Sequence, residues 1–324
     1  MSSSTEIVLF LQHFPALIPL MKALTVLGNE EFFLLLLPLV YLCIDRRAGL
    51  RLGCIVVLGD ALNAILKVGC AQPRPYWIDA RVQQWVSEAS YGFPSSHAQN
   101  ATAVWCWIAG QLNRNKKRVW LWPAAISLAA AIAVSRLFLG VHFGGDVIGG
   151  ALIGLVFLGV FARLEPLLAD WWRRQNLVSQ AMLATASTTV LIGIFFVARK
   201  FGAPSTTVSW ARFAIESGSA QAIVSRAGTW WGLLVGAAVA GRYARFEVDG
   251  GIGLRVQRFV GAIIGVGVCW KGLALVFPGQ PEAVELSFRF VRYALLTLWI
   301  TWGAPALFLK IGWLSAHDSA LKVL

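Results

Sequence analysis

Apolar runs close to the ~20 residues that cross a bilayer recur along this chain with only short polar gaps between them. No other feature limits its fold so strongly. In lipid the backbone must satisfy its own hydrogen bonds, so such runs predict transmembrane helices. They fall near 29–44, 52–71, 98–112, 119–141, 146–164, 177–198, 222–244, 257–277 and 286–311, nine in all. The expected fold is all-α, a polytopic transmembrane helical bundle of about nine spans. The first and third runs are short, and Pro38 is expected to kink the first. Residues 6–27 are expected to form an interfacial helix, because Pro15 and Pro19 argue against a clean span there.

Composition supports one membrane domain rather than two soluble ones. Of 324 residues, 57% are hydrophobic and only 14% charged, far from soluble averages. Fifteen Trp and nineteen Phe suit lipid-facing surfaces with aromatic belts. The net charge of +12 sits in loops between apolar runs, as cytoplasmic anchors do, and no nucleic-acid partner is expected. Cys43, Cys54, Cys70, Cys106 and Cys269 lie in or beside apolar runs without CxxC spacing, so they read as structural thiols. No Lys or Arg precedes Lys22, which is unlike the charged start of a signal peptide.

Loop charge sets an expected orientation. One set of loops carries Arg46, Arg47, Arg51, Arg114, Lys116, Lys117, Arg118, Arg163, Arg173, Arg174, Arg242, Arg245, Arg255 and Arg258. The opposite set carries Arg74, Arg81, Arg199, Lys200 and Arg212, so the ratio is fourteen to five. The first set is therefore expected in the cytoplasm with the C-terminus, and the N-terminus outside. Lys67, Arg74, His97 and His142 then meet at the non-cytoplasmic face. Compact loops without N-x-S/T sites on that face lean toward a bacterial inner membrane with the site facing the periplasm.

Those residues form a chemical set. His142 and Asp146 are four apart and share a helix face. The carboxylate can take one ring proton and raise the basicity of the other nitrogen, making His142 a candidate nucleophile toward phosphorus. Lys67, Arg74 and Arg136 are cations suited to phosphate oxygens. Two of them have a plainer alternative: Lys67 can snorkel to the interface, and Arg136 can pair with Asp60. His97 is placed to protonate a leaving alkoxide, and Ser95 and Ser96 open a helix whose N–H groups can receive phosphate oxygens. Asp60, Asn63 and Lys67 share a helix face, so the first two are expected to steer Lys67. The spacing of His13, His97, His142 and His317 offers no metal site. Lys271 lies within an apolar run and is a candidate for lining a polar cavity or headgroup pocket; Arg289 and Arg292 read as interfacial anchors.

Lys67-x6-Arg74-Pro75, Pro94-Ser95-Ser96-His97 and Ser135-Arg136-x5-His142-x3-Asp146 together resemble the three-part signature of the type 2 phosphatidic acid phosphatase superfamily. The signature covers about residues 52–160. The resemblance implies a six-helix phosphatase core and metal-independent hydrolysis without a cofactor. It assigns His142 as nucleophile, Asp146 as its partner and His97 as general acid. Lys67, Arg74, Ser95, Ser96 and Arg136 would then bind phosphate. The family usually has Gly where Ser96 stands. The expected organisation is an N-terminal interfacial segment (1–28), a catalytic core (29–164) and a C-terminal transmembrane extension (165–324). The nine-span layout, Gly59–Asn63 and Tyr76-Trp77 are similar to glucose-6-phosphatase, but Asp146 departs from that branch. The expected substrate is a phosphorylated lipid at the outer leaflet, as monoester or diphosphate. The alternatives are a soluble sugar phosphate, phosphoryl transfer to another acceptor, or a transporter or lipid-binding protein with a vestigial site. Oligomeric state is not legible.

Overall fold

The computed structural model describes residues 2–114, 117–204, 207–276 and 282–316. Lys116 of the basic loop, His317 and part of the 278–285 loop lie outside them. Helices dominate: α1 (Ser2–Gln12), α2 (Ile18–Val26), α3 (Glu30–Cys43), α4 (Arg46–Cys70), α5 (Pro75–Ile78), α6 (Ser96–Leu112), α7 (Leu121–Phe138) and α8 (Gly144–Arg173). They continue with α9 (Leu177–Gly202), α10 (Ala211–Ser217), α11 (Gln221–Tyr243), α12 (Ile252–Gly267), α13 (Leu273–Val276), α14 (Glu282–Leu298) and α15 (Ala304–Lys310). Two-residue strands β1 (Phe246–Glu247) and β2 (Ser315–Ala316) pair antiparallel.

Among the described residues, six segments are long and apolar enough to cross a membrane: Arg46–Ile78, Leu121–Phe138, Gly144–Arg173, Leu177–Gly202, Ala211–Tyr243 and Ile252–Val276. The protein is an integral membrane protein built of helices. The other expected spans are also helical, but α3 and α6 are shorter, and 286–311 runs through α14, a π-helical segment (Trp299–Gly303) and α15. The expected single helix over 6–27 is instead two, bent by 81° at the break before Pro15. Proline lacks the N–H that would carry the helix across that point. Long stretches of α8 and α9 face outward with side chains such as Ile148, Leu152, Val156, Val178 and Met182, as lipid-facing helices require.

The chain divides into two compact units. One comprises Met1–Phe32, Gly59–Glu165 and Ile194–Ser219, and the other Phe33–Leu58, Pro166–Gly193 and Ala220–Leu324. In the first, α8 lies close against α6 because Gly150 and Gly154 face the backbone oxygens of Ser95 and Gln99, where a Cβ would collide. Small residues permit such approach where lipid provides no hydrophobic drive. In the second, Gly228, Gly232 and Gly236 of α11 face Phe290, Ala294 and Thr301 in the same way. The Thr297 hydroxyl donates to Thr229 O across that seam at 2.9 Å. A core of Leu37, Tyr41, Leu42, Phe246, Leu296, Ile300 and Phe308 completes it. Lys271 is exposed, its ammonium 4.3 Å from the Trp270 ring centroid. The expected polar cavity around it is therefore corrected to a cation–π contact. Arg289 bonds Gln221 (3.2 Å), Ser225 (3.4 Å) and Glu285 (3.5 Å).

Candidate active site

All three signature pieces lie in the first unit, and each arrives by a local device. The last turn of α4 carries Lys67 inward. The chain then leaves through Ala71 at φ 44°, a left-handed conformation that is strained for an L-residue, and delivers Arg74 just before Pro75 opens α5. Ser95 is the N-cap of α6, its hydroxyl accepting from Ala98 N at 3.4 Å. α7 ends in Gly140 at φ 77°, a value glycine reaches without a Cβ clash, and the chain turns there to place His142 ahead of α8.

His142 is 1% exposed and Asp146 5%. His142 Nδ1 lies 3.2 Å from Asp146 Oδ2, which also accepts from Phe143 N at 2.9 Å. His142 Nε2 lies 3.4 Å from Arg74 Nη1. A guanidinium has only donors, so this contact assigns the lone pair to Nε2 and the proton to Nδ1, toward the carboxylate. Burial, with Arg74 and Lys67 nearby, holds the ring well below the ordinary histidine pKa, and the imidazole stays neutral at pH 7.

Arg74 is fully buried and bonded at all three of its nitrogens. Nε donates to Ser90 O at 2.6 Å, Nη1 to Val141 O at 2.8 Å, and Nη2 to Ser90 Oγ at 3.1 Å and Tyr91 O at 3.2 Å. Lys67 donates to the carbonyls of Tyr91 and Gly92; it is 6% exposed and does not snorkel. Arg136 bonds Thr25 and Glu88 rather than Asp60. Asp60 and Asn63 do not steer Lys67 as the shared face suggested. Asp60 accepts from Asn100 at 2.6 Å, and Asn63 donates to Gln99 at 3.0 Å and to Pro94 O at 3.3 Å. They fasten α4 to α6 because that buried helix face offers amides closer than the ammonium. Ser95 is buried and its N–H donates to Asp146 O at 3.0 Å, whereas Ser96 is partly exposed.

Several site neighbours carried no signal in the motif. Glu88 is the only acidic residue between Asp79 and Asp146. Its carboxylate spans both arginines, pairing Arg74 at 3.4 Å and Arg136 more closely. Burial pushes this carboxyl up, but Arg74 and Arg136 outweigh that and hold it at about 2. Asn29 Oδ1 meets His97 Nε2 at 2.8 Å, while His97 Nδ1 is buried without a hydrogen-bond partner among the described residues. Gly28 sits against the same ring, where a Cβ would come within 2.9 Å of His97 Cδ2. The segment read only as interfacial thus reaches the site through Thr25 and Gly28, with Asn29 directly after it. Aromatic rings close another side: Trp77 stacks on Phe213 at 5.0 Å and 4°, with Trp210 at 5.9 Å.

A family model described as the PAP2 superfamily matches residues 48–169, and one described as "PAP2 superfamily phosphatase, transmembrane extension" matches 224–317. Phosphatidylglycerophosphatase B of Bacillus subtilis (strain 168) is 33% identical over 156 residues, covering 44% of this chain and 72% of that protein. Sphingosine-1-phosphate phosphatase 2 of Mus musculus is 31% identical over 137 residues, 41% of this chain and 38% of that one. Glucose-6-phosphatase catalytic subunit 1 of Haplochromis nubilus is 23% identical over 205 residues, 53% and 54%. The chain thus spans less than two thirds of the latter two. With the signature residues converging in one unit and both matched segments running along the helices that form the two units, the chain belongs to the PAP2 superfamily.

Proposed function

We propose that this protein is a membrane phosphatase that removes terminal phosphate groups, as monoesters or diphosphates, from lipids at the non-cytoplasmic face. The observation that carries this reading is His142, with its Nδ1 proton toward Asp146 and its Nε2 lone pair facing the Arg74 guanidinium. A phosphoryl group held there has a nucleophile and fixed cations around one point. The catalytic core is residues 29–164, and 165–324 is a transmembrane extension.

In the proposed reaction, His142 Nε2 attacks phosphorus, the P–O bond to the lipid breaks, and His97 gives the leaving alkoxide its proton. Water then attacks the P–N bond and gives a proton back to His97. Inorganic phosphate leaves and neutral His142 returns. Arg74, Arg136, Lys67, the Ser95 hydroxyl and the Ser96 N–H hold the equatorial oxygens, whose charge needs cations in place before the reaction. His97 enters the reaction as the imidazolium, its Nε2–H donated to Asn29 Oδ1 and its Nδ1–H given to the leaving oxygen. These groups supply the charge stabilisation without a metal.

The names of the relatives include phosphatidylglycerophosphatase and sphingosine-1-phosphate phosphatase, which supports a lipid substrate reached laterally from the bilayer. Likeness to a glucose-6-phosphatase subunit keeps a soluble sugar phosphate as the second reading. Phosphate release from a panel of lipid phosphates and hexose phosphates, in detergent with and without EDTA, tests both. Release from lipids unaffected by EDTA is expected. Turnover of hexose phosphate alone overturns the lipid assignment, loss in EDTA overturns metal independence, and silence across the panel overturns the enzyme reading.

A further inference from the structure

We infer that Glu88 is a built-in competitor that selects terminal phosphates over the phosphodiester headgroups of ordinary membrane lipids. This rests on the reading of Arg74 and Arg136 as phosphate-binding groups.

One carboxylate occupies both guanidiniums: Oε2 pairs with Arg74 Nη2 at 3.4 Å, and Oε1 pairs with Arg136 Nη2. An anion already fills the place a substrate phosphate must take. The carboxylate also answers a structural need, since two buried guanidiniums left without a counter-ion would be strongly destabilising. Its backbone is anchored, with Tyr76 Oη donating to Glu88 O at 3.1 Å. The side chain is 21% exposed and is flanked by the exposed Ser87 and Ala89. It can therefore leave the arginines by rotating its own bonds, without moving the loop.

Charge decides what can displace it. A phosphodiester carries one negative charge, as the carboxylate does, and gains little by exchange. A terminal phosphate carries about −1.5 to −2 at pH 7 and three acceptor oxygens, so it out-competes the carboxylate for a pair of forked cations. The distinction matters in a bilayer, where phosphodiesters surround the site at very high local concentration. An uncovered arginine pair would hold one most of the time.

The test uses full-length protein in a neutral detergent, with phosphate release from a lipid monoester as readout. Inorganic phosphate and phosphatidylglycerol are the competing probes. In Glu88→Gln the inhibition constant for inorganic phosphate is expected to fall about tenfold or more, and phosphatidylglycerol becomes an inhibitor. Glu88→Asp, which keeps the charge, should stay close to wild type. Unchanged constants for both probes in Glu88→Gln overturn the proposal. Equal inhibition of the wild-type protein by phosphatidylglycerol and inorganic phosphate also overturns it, and this needs no variant to fold. If no phosphate ester is turned over, the enzyme reading fails separately. The competitor is then read from the thermal shift induced by inorganic phosphate, expected to be larger in Glu88→Gln; an equal shift overturns it.

Discussion

The two units bury polar groups for different ends. In the unit containing Gly59–Glu165, the buried polar set includes hydroxyls such as Thr25, Ser95 and Ser135 but consists mostly of charged, imidazole and amide side chains: Asp60, Asn63, Lys67, Arg74, His97, Gln99, Asn100, Arg136, His142 and Asp146. In the unit containing Ala220–Leu324, it includes Ser225, Thr297 and Thr301, whose hydroxyls bond helix carbonyls. Arg258 is buried there too, but it is tied to Trp313 O at 2.6 Å and to Asp249 at 3.4 Å, beside the β1–β2 pair. A hydroxyl satisfied on its own helix asks nothing of a substrate. A buried pair of arginines sharing one carboxylate is costly as a mere packing device, and that cost supports placing the proposed chemistry in the first unit.

Breaking the first unit should cost activity, and breaking the second should cost stability. The largest effect is expected from His142→Ala, a loss of at least about 10⁴-fold in kcat, because the attacking nitrogen is gone. Substantial residual turnover would remove the nucleophile assignment. Arg136→Ala should lower kcat/KM by about 10²–10³-fold, the range for removing one oxyanion donor, and an unchanged value contradicts its placement on phosphate. Asn29→Ala should lower kcat by about tenfold with KM nearly unchanged, as expected of a group that only orients His97; Asn29→Asp, which keeps the acceptor oxygen, should recover part of it. Gly232→Leu should destabilise the extension by about 1–3 kcal/mol, since its side chain would meet Ala294 O and Thr297 in a seam with no spare volume. The kcat of the molecules that remain folded should match wild type, and a selective loss of kcat would blur the comparison.

The smallest effect concerns acid. The Glu88 carboxyl is lowered from an ordinary 4.5 to about 2 in the folded protein, so its contribution to stability is full above the unfolded value and is lost as pH falls through the folded one. The stability gap between wild type and Glu88→Gln should stay level above about pH 4.5 and close toward pH 2. A gap that closes near neutral pH would show that another group governs it.

Much of this was legible along the chain. Spans are legible because lipid imposes one requirement on every residue of a crossing helix, and that requirement is local. His142 and Asp146 are legible from their four-residue spacing, although they meet across the start of α8, with His142 ahead of the helix, and not along one helix face as expected. Shared spacing failed for Asp60 and Asn63. It showed their common face with Lys67, but not that Gln99 and Asn100 of α6 lie nearer than the ammonium. Glu88, Thr25 and Asn29 were illegible for a related reason, since they meet Arg136 and His97 across 48 to 111 residues, Glu88 meets Arg74 across a loop, and no periodicity connects them.

By itself, then, the sequence determined that this is a helical membrane protein of the PAP2 superfamily and showed which residues make up the family's signature. Those properties follow from hydropathy and short-range spacing, which act between neighbours in the chain. Only the tertiary structure decided that the N-terminal segment supports His97 and Arg136, that Lys67 is held by loop carbonyls, and that a carboxylate lies between the two arginines. Buried charges take whichever partner the folded backbone brings within reach, and that partner is set by packing rather than by order along the chain.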